Sequence, residues 1–375
     1  MANTPNLDLV KPADGALDWD TPLNANFDKI DAALPIPLTA AKGGTGTNTT
    51  AGFTKAGLPV AGTAGRLARV TDSVRGVWMD QGSQWFSLVG ETINVKEFGA
   101  KGDGATDDTT AIQNAINAAT AGEIVFFPPG NYKITAALTI SNSAQIVGTG
   151  VEQESGAQEG TLITVTSLTA DAFTVTTRDR VLFRDFVITG PLGKTAGAGI
   201  SFNPATGQNM RSRIYNTSIN RMFDGIRIAG GAGDLRIRDS VIADYVDNGI
   251  RIDQSNAGNT DAGGTRIDGC TIWDLNNGAS NHGILHTGGG VVIVVNSTLQ
   301  GSAYGYRMSL GLGPTGTLIF TNNHVEAQRT FGIALGQNGI NNRFDHVIIS
   351  NNEFLQDLQA GFQSNLSIVA GTPAG

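Results

Sequence analysis

The sequence predicts an all-β solenoid, in which short strands stack coil upon coil, and two series of repeats carry this prediction. In the first series a residue of varied polarity precedes an apolar one, and successive members lie about 23–30 residues apart. Its members are Ser218-Ile219, Val241-Ile242, Thr271-Ile272, Thr298-Leu299, His324-Val325 and Glu353-Phe354. The second series pairs glycine with an apolar or aromatic residue, at Gly225-Ile226, Gly249-Ile250, Gly283-Ile284, Gly305-Tyr306, Gly332-Ile333 and Gly361-Phe362. One such coil cannot bury its apolar side alone, so the repeats must stack.

The composition agrees with many short strands joined by tight turns. The 375 residues include 50 glycines, and charged residues make up only 15%. This mixture excludes a helical bundle and a disordered acidic chain. The formal net charge of -8 argues against nucleic-acid binding, which needs clustered Lys and Arg. The single cysteine, Cys270, excludes an intrachain disulfide framework, and we expect it to be a small core residue.

The sequence offers no targeting or membrane-spanning segment. The N-terminus lacks a basic start and an apolar stretch, so we expect no signal peptide. The longest apolar run, residues 291–295, is far too short to span a bilayer. If the protein works outside a cell it must leave by another route, for example on a particle.

The N-terminal residues 1–34 predict a short polar segment followed by a helix, with Thr21 as its N-cap and Pro22 in its first turn. Apolar residues at heptad-like spacing follow on one face: Leu23, Phe27, Ile30 and Leu34. The helix could pack on its own domain, form a seam between two or three chains, or dock onto a larger partner. We favour assembly with other chains or a partner, because so short a helix is marginal alone.

Four further segments complete the organisation of the chain. Residues 35–60 are rich in Pro, Gly, Thr and Ala and predict a linker. Residues 61–91 contain three strand-like runs and predict a small β-hairpin module that leans on a neighbour. Residues 92–367 form the predicted solenoid, and residues 368–375 form a short tail.

The start of the solenoid predicts a strand over 93–98, a polar loop over 102–108 and a helix over 109–119. A buried strand over 123–127 follows and ends at a Pro-Pro-Gly turn. The amphipathic helix lies at the start of the stack of coils. It covers the open apolar end of the stack, which would otherwise invite edge pairing.

Two runs of residues resemble known families. NVKEFGAKGDGATDDTTAIQNAIN, followed by GEIVFFPPGNYKI, resembles the start of the right-handed parallel β-helix of the pectate-lyase/polygalacturonase superfamily, which many bacteriophage tailspikes share. Residues 11–15 and 23–31 resemble the start of phage tail and spike proteins that attach to the virion. The resemblance implies a right-handed parallel β-helix with a short N-terminal capping helix, preceded by a virion-anchoring helix and a small β module. It also implies a homotrimeric spike on the virion surface, made in the host cytoplasm and joined to other virion proteins through its N-terminus.

Three clustered carboxylates near the start of the solenoid admit two interpretations. Asp103, Asp107 and Asp108 could bind a hard cation such as calcium, which prefers oxygen ligands. We favour the second interpretation, in which Asp107 or Asp108 caps the following helix. The four histidines, His282, His286, His324 and His346, show no metal-ligand spacing, so we expect neither a metal nor another cofactor.

Charged and apolar residues alternate in the coils, which places apolar side chains inside and charged ones outside. Stacked coils would then bring Arg near Asp along a stripe. This stripe could be a structural charge ladder or a strip in which guanidinium groups bind acidic sugars. The arginines in question are Arg227, Arg251 and Arg266.

Carboxylates and aromatic residues are concentrated in the middle coils. Glycoside cleavage needs two carboxyl groups, about 5–5.5 Å apart for retention and about 6.5–9.5 Å apart for inversion. The catalytic candidates are Asp244, Asp247, Asp253, Asp268 and Asp274. Tyr245 and Trp273 could provide flat surfaces for sugar rings. The sequence does not tell which carboxylates converge, because stacked coils are distant along the chain.

Asn259 and Asp261, followed by His282, resemble two polygalacturonase motifs and are further candidates for substrate binding. The paired Asp between those motifs and the Arg-Ile-Lys after them are missing, which disfavours a pectin hydrolase. A lyase is disfavoured as well, because the coils hold very few Lys. The long polar stretch between Gly249 and Gly283 is where we expect a binding site.

Asparagines recur at the starts of the coil strands, which predicts an amide ladder or left-handed turns rather than chemistry. They are Asn296, Asn322, Asn323, Asn351 and Asn352.

Three functions remain open at this point. We expect a virion spike that binds a host-surface polysaccharide through the lateral face of a trimeric β-helix. The alternatives are a depolymerase of the glycoside hydrolase type, which cleaves that polysaccharide with an Asp/Glu pair, and a purely structural virion protein. The chain stops soon after its last coil, without a large C-terminal β module, which favours binding or structure over catalysis.

Overall fold

The structure is a computed structural model, and it describes part of the chain. The described residues are 2–3, 10–11, 67–69, 77–80, 85–87, 92–150, 160–177, 180–204, 209–229, 232–253, 264–274, 281–287, 290–309, 316–336, 344–355 and 366–368. The chain divides into two compact units, Met1–Gly90 and Glu91–Gly375. The predicted helix with Leu23, Phe27, Ile30 and Leu34 and the predicted linker both lie outside the described residues.

In the first unit, the described strands form two small antiparallel sheets. Ala2–Asn3 pairs with Val10–Lys11. Leu67–Arg69, Val77–Asp80 and Trp85–Ser87 form a three-stranded sheet, with the middle strand paired to both others. These three strands lie within the strand-like runs of residues 61–91, where the sequence predicted a hairpin module.

The second unit is a right-handed parallel β-solenoid, which confirms the predicted fold class. Its strands stack in three faces around a single core. The first face contains Thr92–Asn94, Ile124–Phe126, Gln145–Val147, Leu235–Arg238, Thr265–Asp268, Gly290–Val295, Gly316–Thr321 and Phe344–Ser350. The second contains Asp103–Asp107, Gly130–Ile134, Thr161–Val165, Val241–Ala243, Thr271–Trp273, Thr298–Gln300, His324–Glu326 and Glu353–Leu355. Two long strands, Leu182–Thr189 and Arg213–Asn220, run through both faces.

The third face is a separate sheet of nine described strands. They are Leu138–Ile140, Phe173–Val175, Ala198–Phe202, Asp224–Ala229, Asn248–Asp253, His282–His286, Tyr304–Met308, Phe331–Leu335 and Leu366–Ile368. A minor parallel pair, Asn209–Met210 with Ala232–Gly233, lies in the connection that leads from this face back to the first. Among the described residues, no helix has the length and apolar character to cross a membrane.

The repeats seen in the sequence are the stacking positions of the solenoid. The first series stacks in register on the second face, from Ile219 through Ile242 and Ile272 to Phe354. Members of the second series stack on the third face, from Ile226 as far as Ile333. The last expected member, Gly361-Phe362, lies outside the described residues, and the described partner of Ile333 is Leu366.

The core runs along the inside of the solenoid and is filled by the inward-facing residues of all three faces. Ladders of Ile, Val and Leu provide most of it, and they are fully buried or nearly so. Aromatic rings also contribute to the core, where Phe183 lies 5.4 Å from Phe173 and 6.3 Å from Phe202 between ring centroids. Edge-to-face contacts of this kind add to the area that the rings bury.

The N-terminal end is covered by an α-helix over Thr109–Ala118, as the amphipathic pattern predicted. Ile112, Ala115 and Ile116 are its buried residues, so its apolar face closes the stack. Two neighbouring predictions were wrong. The expected strand over 93–98 ends at Asn94 and continues as a 3-10 helix, Val95–Phe98, and the expected loop contains the strand Asp103–Asp107.

The three carboxylates at this end are held by local hydrogen bonds. Asp107 Oδ1 accepts from the backbone N–H of Thr109, the first residue of the helix, at 3.1 Å, whereas the side chain of the N-cap residue Asp108 makes no capping hydrogen bond. Asp108 points the other way and accepts from the backbone N–H groups of Lys101 and Gly102, at 2.6 and 3.0 Å. Bonds from the backbone N–H groups of Thr106 and Ala105 lower the pKa of Asp103 to about 2. Within the described part of the chain, no group of three His, Cys, Asp or Glu side chains is arranged to hold a metal ion.

The turn between the first and second faces carries the asparagine ladder. The residue that makes the turn adopts a left-handed conformation in successive coils: Asn216, Asp239, Asn296, Asn322 and Asn351, with Gly269 in the same place. The next residue then bonds from coil to coil. Asn323 Oδ1 accepts from the Ser297 N–H at 2.9 Å, and Asn352 Oδ1 accepts from the Asn323 N–H at 2.9 Å. Cys270 occupies this ladder position in an earlier coil and is buried, as expected.

Candidate functional site

The candidate site lies on the third face, at the residue that precedes each glycine of the second series. These residues are stacked in register and form what we call the third-face column: Asp224, Asn248, His282, Tyr304 and Phe331. The glycines explain the alignment. A Cβ on Gly249 would lie 2.6 Å from the Gly283 carbonyl oxygen and 2.6 Å from Ile272 Cγ2, so only glycine allows the coils to approach so closely.

The polar end of the column is a chain of buried hydrogen bonds. Asn248 Nδ2 donates to Asp224 Oδ1 at 2.8 Å and to Asp247 Oδ2 at 2.9 Å. The amide oxygen of Asn248 therefore faces His282, whose Nδ1 lies 2.9 Å away. Because that oxygen can only accept, His282 carries its proton on Nδ1 and has a lone pair on Nε2.

The aromatic end of the column is a stack of rings along the solenoid axis. The His282 and Tyr304 rings lie 5.1 Å apart at an angle of 19°, and the Tyr304 and Phe331 rings lie 6.0 Å apart at 34°. Each ring therefore covers the face of its neighbour. The Arg307 guanidinium lies 4.9 Å from the Tyr304 ring centroid, and its Nη1 lies 3.4 Å from His282 Nε2.

Burial shifts the pKa values of two groups in opposite senses. It raises the pKa of Asp224 to about 6, and the nearby Asp247 charge adds to the increase. The hydrogen bond from Asn248 and the charges of Arg251 and Arg227 act in the opposite direction and lower this pKa. Burial also lowers the pKa of His282 to about 4, and the Arg307 charge contributes to the decrease. At neutral pH the column therefore contains a neutral His282 beside the cationic Arg307.

A row of arginines flanks the column, three residues further along each strand. Arg227 and Arg251 are register partners, so arginine stacks on arginine in this row, whereas on the first face Arg238 is the register partner of Asp268. The acidic partners come from elsewhere. Arg227 pairs with Asp171 at 3.2 Å, and Arg251 pairs with Asp253 on its own strand at 3.4 Å.

Arg307 continues this row beyond Leu285, which occupies the position between Arg251 and Arg307. Among the residues that the structure describes, no carboxylate lies within ion-pair distance of Arg307. Arg266, the remaining arginine of the predicted strip, lies on the first face and pairs there with Asp268 at 3.1 Å.

The five predicted catalytic carboxylates are not all gathered at one place. Asp253 is paired with Arg251 on the third face, whereas Asp268 lies on the first face and accepts from Asn296. Asp274 is fully buried beside Asn281 and Arg329. Asp244 makes a left-handed turn after the second face.

Asp247 differs from these, because it meets Asp224. One oxygen of each carboxylate accepts from the same Asn248 nitrogen, which places these two oxygens within about 6 Å of each other. Asp224 itself is only 1% exposed.

The other predicted binding residues are scattered. Tyr245 is fully buried, with its hydroxyl 2.7 Å from Ser302 Oγ, so its ring faces the core. Trp273 is half-buried on the second face. Asn259 and Asp261 lie outside the described residues. His282 belongs to the third-face column.

Comparison with known families agrees with this architecture. Residues 92–363 match the family model described as rhamnogalacturonase A/epimerase, pectate lyase-like. The chain belongs to this pectate-lyase-like family. The resemblance of residues 94–117 and 122–134 to the pectate-lyase superfamily is thereby confirmed, and the match extends as far as residue 363.

Solved structures similar to this pectate-lyase-like chain include phage tailspikes. The phiAB6 tailspike, solved in complex with oligosaccharides of the Acinetobacter baumannii surface polysaccharide, aligns with a TM-score of 0.56 at 14% identity, over 81% of this chain and 58% of its own. The enzymatically active domain of tailspike protein 4 from bacteriophage CBA120 aligns with a TM-score of 0.53 at 16% identity, over 84% of this chain and 47% of its own. At these identities the likeness concerns the fold.

A curated relative matches a short segment. The mannuronan C5-epimerase AlgE3 of Azotobacter vinelandii is 50% identical over 68 residues, which is 16% of this chain. The pectate-lyase-like chain spans only 4% of the length of that relative.

Sequence reasoning missed most of the third-face column in this pectate-lyase-like chain. Asp224, Asn248, Tyr304 and Phe331 were not singled out, nor was Arg307. A signal for four of these residues was present, because each of them directly precedes a glycine of the second series. Alignment of the repeats on their glycines would have placed these residues in one column.

Proposed function

We propose that the protein is a virion spike that binds a host-surface polysaccharide through the third face of its β-helix. The observation that carries the proposal is the parallel course of the column and its arginine row, which present polar groups coil after coil. The side chains of Arg227 and Arg251 are 32% and 36% exposed. A polymer that lies along the axis would therefore meet two guanidinium donors, those of Arg227 and Arg251, about 4.8 Å apart, the spacing of neighbouring strands.

Two further considerations support a binding spike. The fold is shared with phage tailspikes, one of which was solved with a surface oligosaccharide. Residues 11–15 and 23–31 resemble the virion-attachment segments of phage tail proteins. We accordingly place the protein on the virion, anchored by residues 1–34, as a homotrimer.

Binding can be tested with the full chain and the surface polysaccharide of its host, by calorimetry or surface plasmon resonance. Arg251→Ala should weaken binding by about tenfold or more, because a charge-assisted hydrogen bond contributes about 1.5–3 kcal/mol. Arg266→Ala is the matched control, since Arg266 also pairs with an Asp two residues away but lies on the first face. Equal losses in both variants, or no binding by the wild type, would contradict the assignment to the third face.

The assembly can be tested by measuring the mass of the protein in solution. We expect a trimer for the full chain and a smaller species after deletion of residues 1–34. A full-length monomer would refute the proposed trimer.

A second candidate function is cleavage of the same polysaccharide, and the Asp224–Asp247 pair favours it. Two carboxylates within about 6 Å approach the separation of about 5–5.5 Å found in retaining glycosidases. The raised pKa of Asp224 suits a general acid. The burial of Asp224 favours the binding function instead, because a general acid must reach the glycosidic oxygen of the substrate.

An assay for oligosaccharide release from the host polysaccharide separates the two functions. Release by the wild type that is abolished in Asp247→Asn would establish the enzyme. Binding without release would leave the spike as a receptor-binding protein.

A further inference from the structure

The starting observation is that both ring nitrogens of His324 face carboxylate oxygens. Nδ1 lies 3.0 Å from Glu353 Oε2, and Nε2 lies 3.2 Å from Glu326 Oε2. A neutral imidazole has one N–H group and could donate to only one of these carboxylates. Its other nitrogen would then direct a lone pair at the second carboxylate. The imidazolium ion, which has two N–H groups, satisfies both contacts at once.

The two carboxylates belong to different coils. Glu326 lies on the same strand as His324, and alternate residues of a strand point to the same side. Glu353 is the register partner of His324 in the next coil. The ring of His324 therefore joins two neighbouring coils across the outer surface of the second face.

The coil that contains Glu353 is formed by the strands Phe344–Ser350 and Glu353–Leu355, and we call it the clamped coil. Among the described residues, no strand of the first or second face stacks on its other side. Its inward residue Phe354 is only partly buried, whereas the partner Val325 is 1% exposed. Burial of apolar area therefore stabilises the clamped coil less than the coil before it, and polar contacts have a larger share in holding it.

The two carboxylates favour the charged form of His324. The hydrogen bond with Glu353 is the largest cause that raises its pKa above the usual 6.5, the hydrogen bond with Glu326 follows, and partial burial opposes both. On the other side of the ring, the strand Thr298–Gln300 has no titratable side chain. Because the folded chain holds this proton more tightly, the stabilisation is fully present below pH 6.5 and is lost as the pH rises through the pKa of the folded chain.

We propose that His324 is a pH-sensitive clamp, which holds the clamped coil while its charged ring bridges Glu326 and Glu353 and lets this coil open locally when the ring loses its charge. The three side chains are 31%, 41% and 64% exposed, so each contact contributes modestly. We therefore expect local opening of one coil and not unfolding of the solenoid. The inference is independent of the proposed polysaccharide binding, because these side chains lie on the second face.

Amide hydrogen exchange reports the opening of the clamped coil. The Glu353 backbone N–H donates to the Asn323 carbonyl at 2.9 Å, across the boundary that the clamp spans. The His324 N–H donates to the Ser297 carbonyl at 2.9 Å, one coil earlier, and serves as the internal control. Exchange of both amides is measured by NMR in the full chain at about pH 6 and about pH 8.5, and each rate is corrected for the intrinsic rate at that pH.

In the wild type we expect the protection of the Glu353 amide to fall by about threefold or more over this pH interval, while that of the His324 amide stays constant. His324→Gln should show the weaker protection at both pH values, because glutamine does not become charged. His346→Gln changes a histidine of the clamped coil on the first face and should keep the wild-type dependence. An equal fall in His324→Gln, or equal falls at the two amides of the wild type, would overturn the proposal.

A titration of the histidine rings by NMR tests the cause of the effect. The pKa of His324 should lie above 6.5 in the wild type and should be lower in Glu353→Gln, because a neutral amide favours the imidazolium less. Glu326→Gln should lower this pKa as well, but it leaves the contact between the coils in place. The pH dependence of the amide at position 353 should therefore persist in Glu326→Gln and disappear in Glu353→Gln. A pKa of His324 at or below 6.5, or a pH dependence that survives Glu353→Gln, would refute the clamp.

Discussion

Asn248 Nδ2 lies 2.8 Å from Asp224 Oδ1 in the preceding coil, and this hydrogen bond orients the amide that faces His282. Two titratable groups are thereby linked through one amide. Burial favours the neutral form of both groups, because it raises the pKa of Asp224 and lowers the pKa of His282. The two shifts nevertheless have opposite effects on the pH dependence of stability, which yields two predictions.

The first prediction concerns His282→Gln. The pKa of His282 is about 4 in the folded chain and 6.5 for an unperturbed histidine, so on acidification the unfolded chain takes up this proton first. His282 therefore destabilises the fold progressively as the pH falls from 6.5 to 4. The variant should lose less stability than the wild type over this interval, as measured by urea unfolding at a series of pH values. Parallel profiles for the two proteins would contradict the shift.

The second prediction concerns Asp224→Asn, which keeps the shape of the side chain and removes its charge. The pKa of Asp224 is about 6 in the folded chain and 3.8 for an unperturbed aspartate, so the folded chain holds this proton more tightly. Ionisation then reduces wild-type stability as the pH rises from 3.8 to 6. The stability of the variant relative to the wild type should therefore increase over this interval and remain constant above it. The same unfolding series measures this difference, and a decrease across the interval would refute the assignment.

The third prediction tests why glycine precedes the core residue on the third face. An alanine Cβ at Gly249 would lie 2.6 Å from the Gly283 carbonyl oxygen, which is backbone and cannot move aside cheaply. We expect Gly249→Ala to cost about 2 kcal/mol or more in the free energy of unfolding. Gly264→Ala is the matched control, because its Cβ would meet the nearest atom at 3.7 Å, and we expect a change within about 0.5 kcal/mol. Similar losses in the two variants would show that the close approach of the coils does not require glycine.

The architecture could be predicted from the sequence because a solenoid repeats one local pattern. Ile219 and Ile242 are register partners, and their spacing in the sequence is the length of one coil. The spacing is less regular at the C-terminal end, where Leu366 is the register partner of Ile333.

The site was less predictable, because its contacts depend on how turns set the side chains. Asp247 and Tyr245 are only two residues apart, yet Asp247 is half-buried and shares the Asn248 amide with Asp224, whereas Tyr245 is fully buried. No periodicity distinguishes such positions, since they lie in the turn between the second and third faces. The column itself was accessible from the sequence, because Asp224 and Asn248 both precede glycines of the repeat.

The fourth prediction concerns the ladder at the turn between the first two faces. Asn323 is buried, and its amide bonds the Ser297 N–H, the Val294 carbonyl at 2.9 Å and Asn352. Asn323→Ala leaves these buried partners unsatisfied and should lower the free energy of unfolding by about 2 kcal/mol or more. Asn322→Gly is the control, because Asn322 has a φ of 57° that glycine adopts freely, and we expect this variant to unfold within about 0.5 kcal/mol of the wild type. A mild effect of Asn323→Ala would mean that water replaces the ladder.

The fifth prediction separates the core role of Tyr245 from the sugar-binding role suggested by its sequence context. Its hydroxyl lies 2.7 Å from Ser302 Oγ inside the solenoid, two coils further along the chain. Tyr245→Phe should cost about 1–2 kcal/mol, because the buried Ser302 hydroxyl loses its partner. Ser302→Ala should cost a similar amount, and the double variant should cost less than the sum, since neither group is then left unsatisfied. Polysaccharide affinity should be unchanged in Tyr245→Phe at a temperature where the variant is folded. A loss of affinity there, without a loss of stability, would mean that the tyrosine hydroxyl reaches the ligand after all.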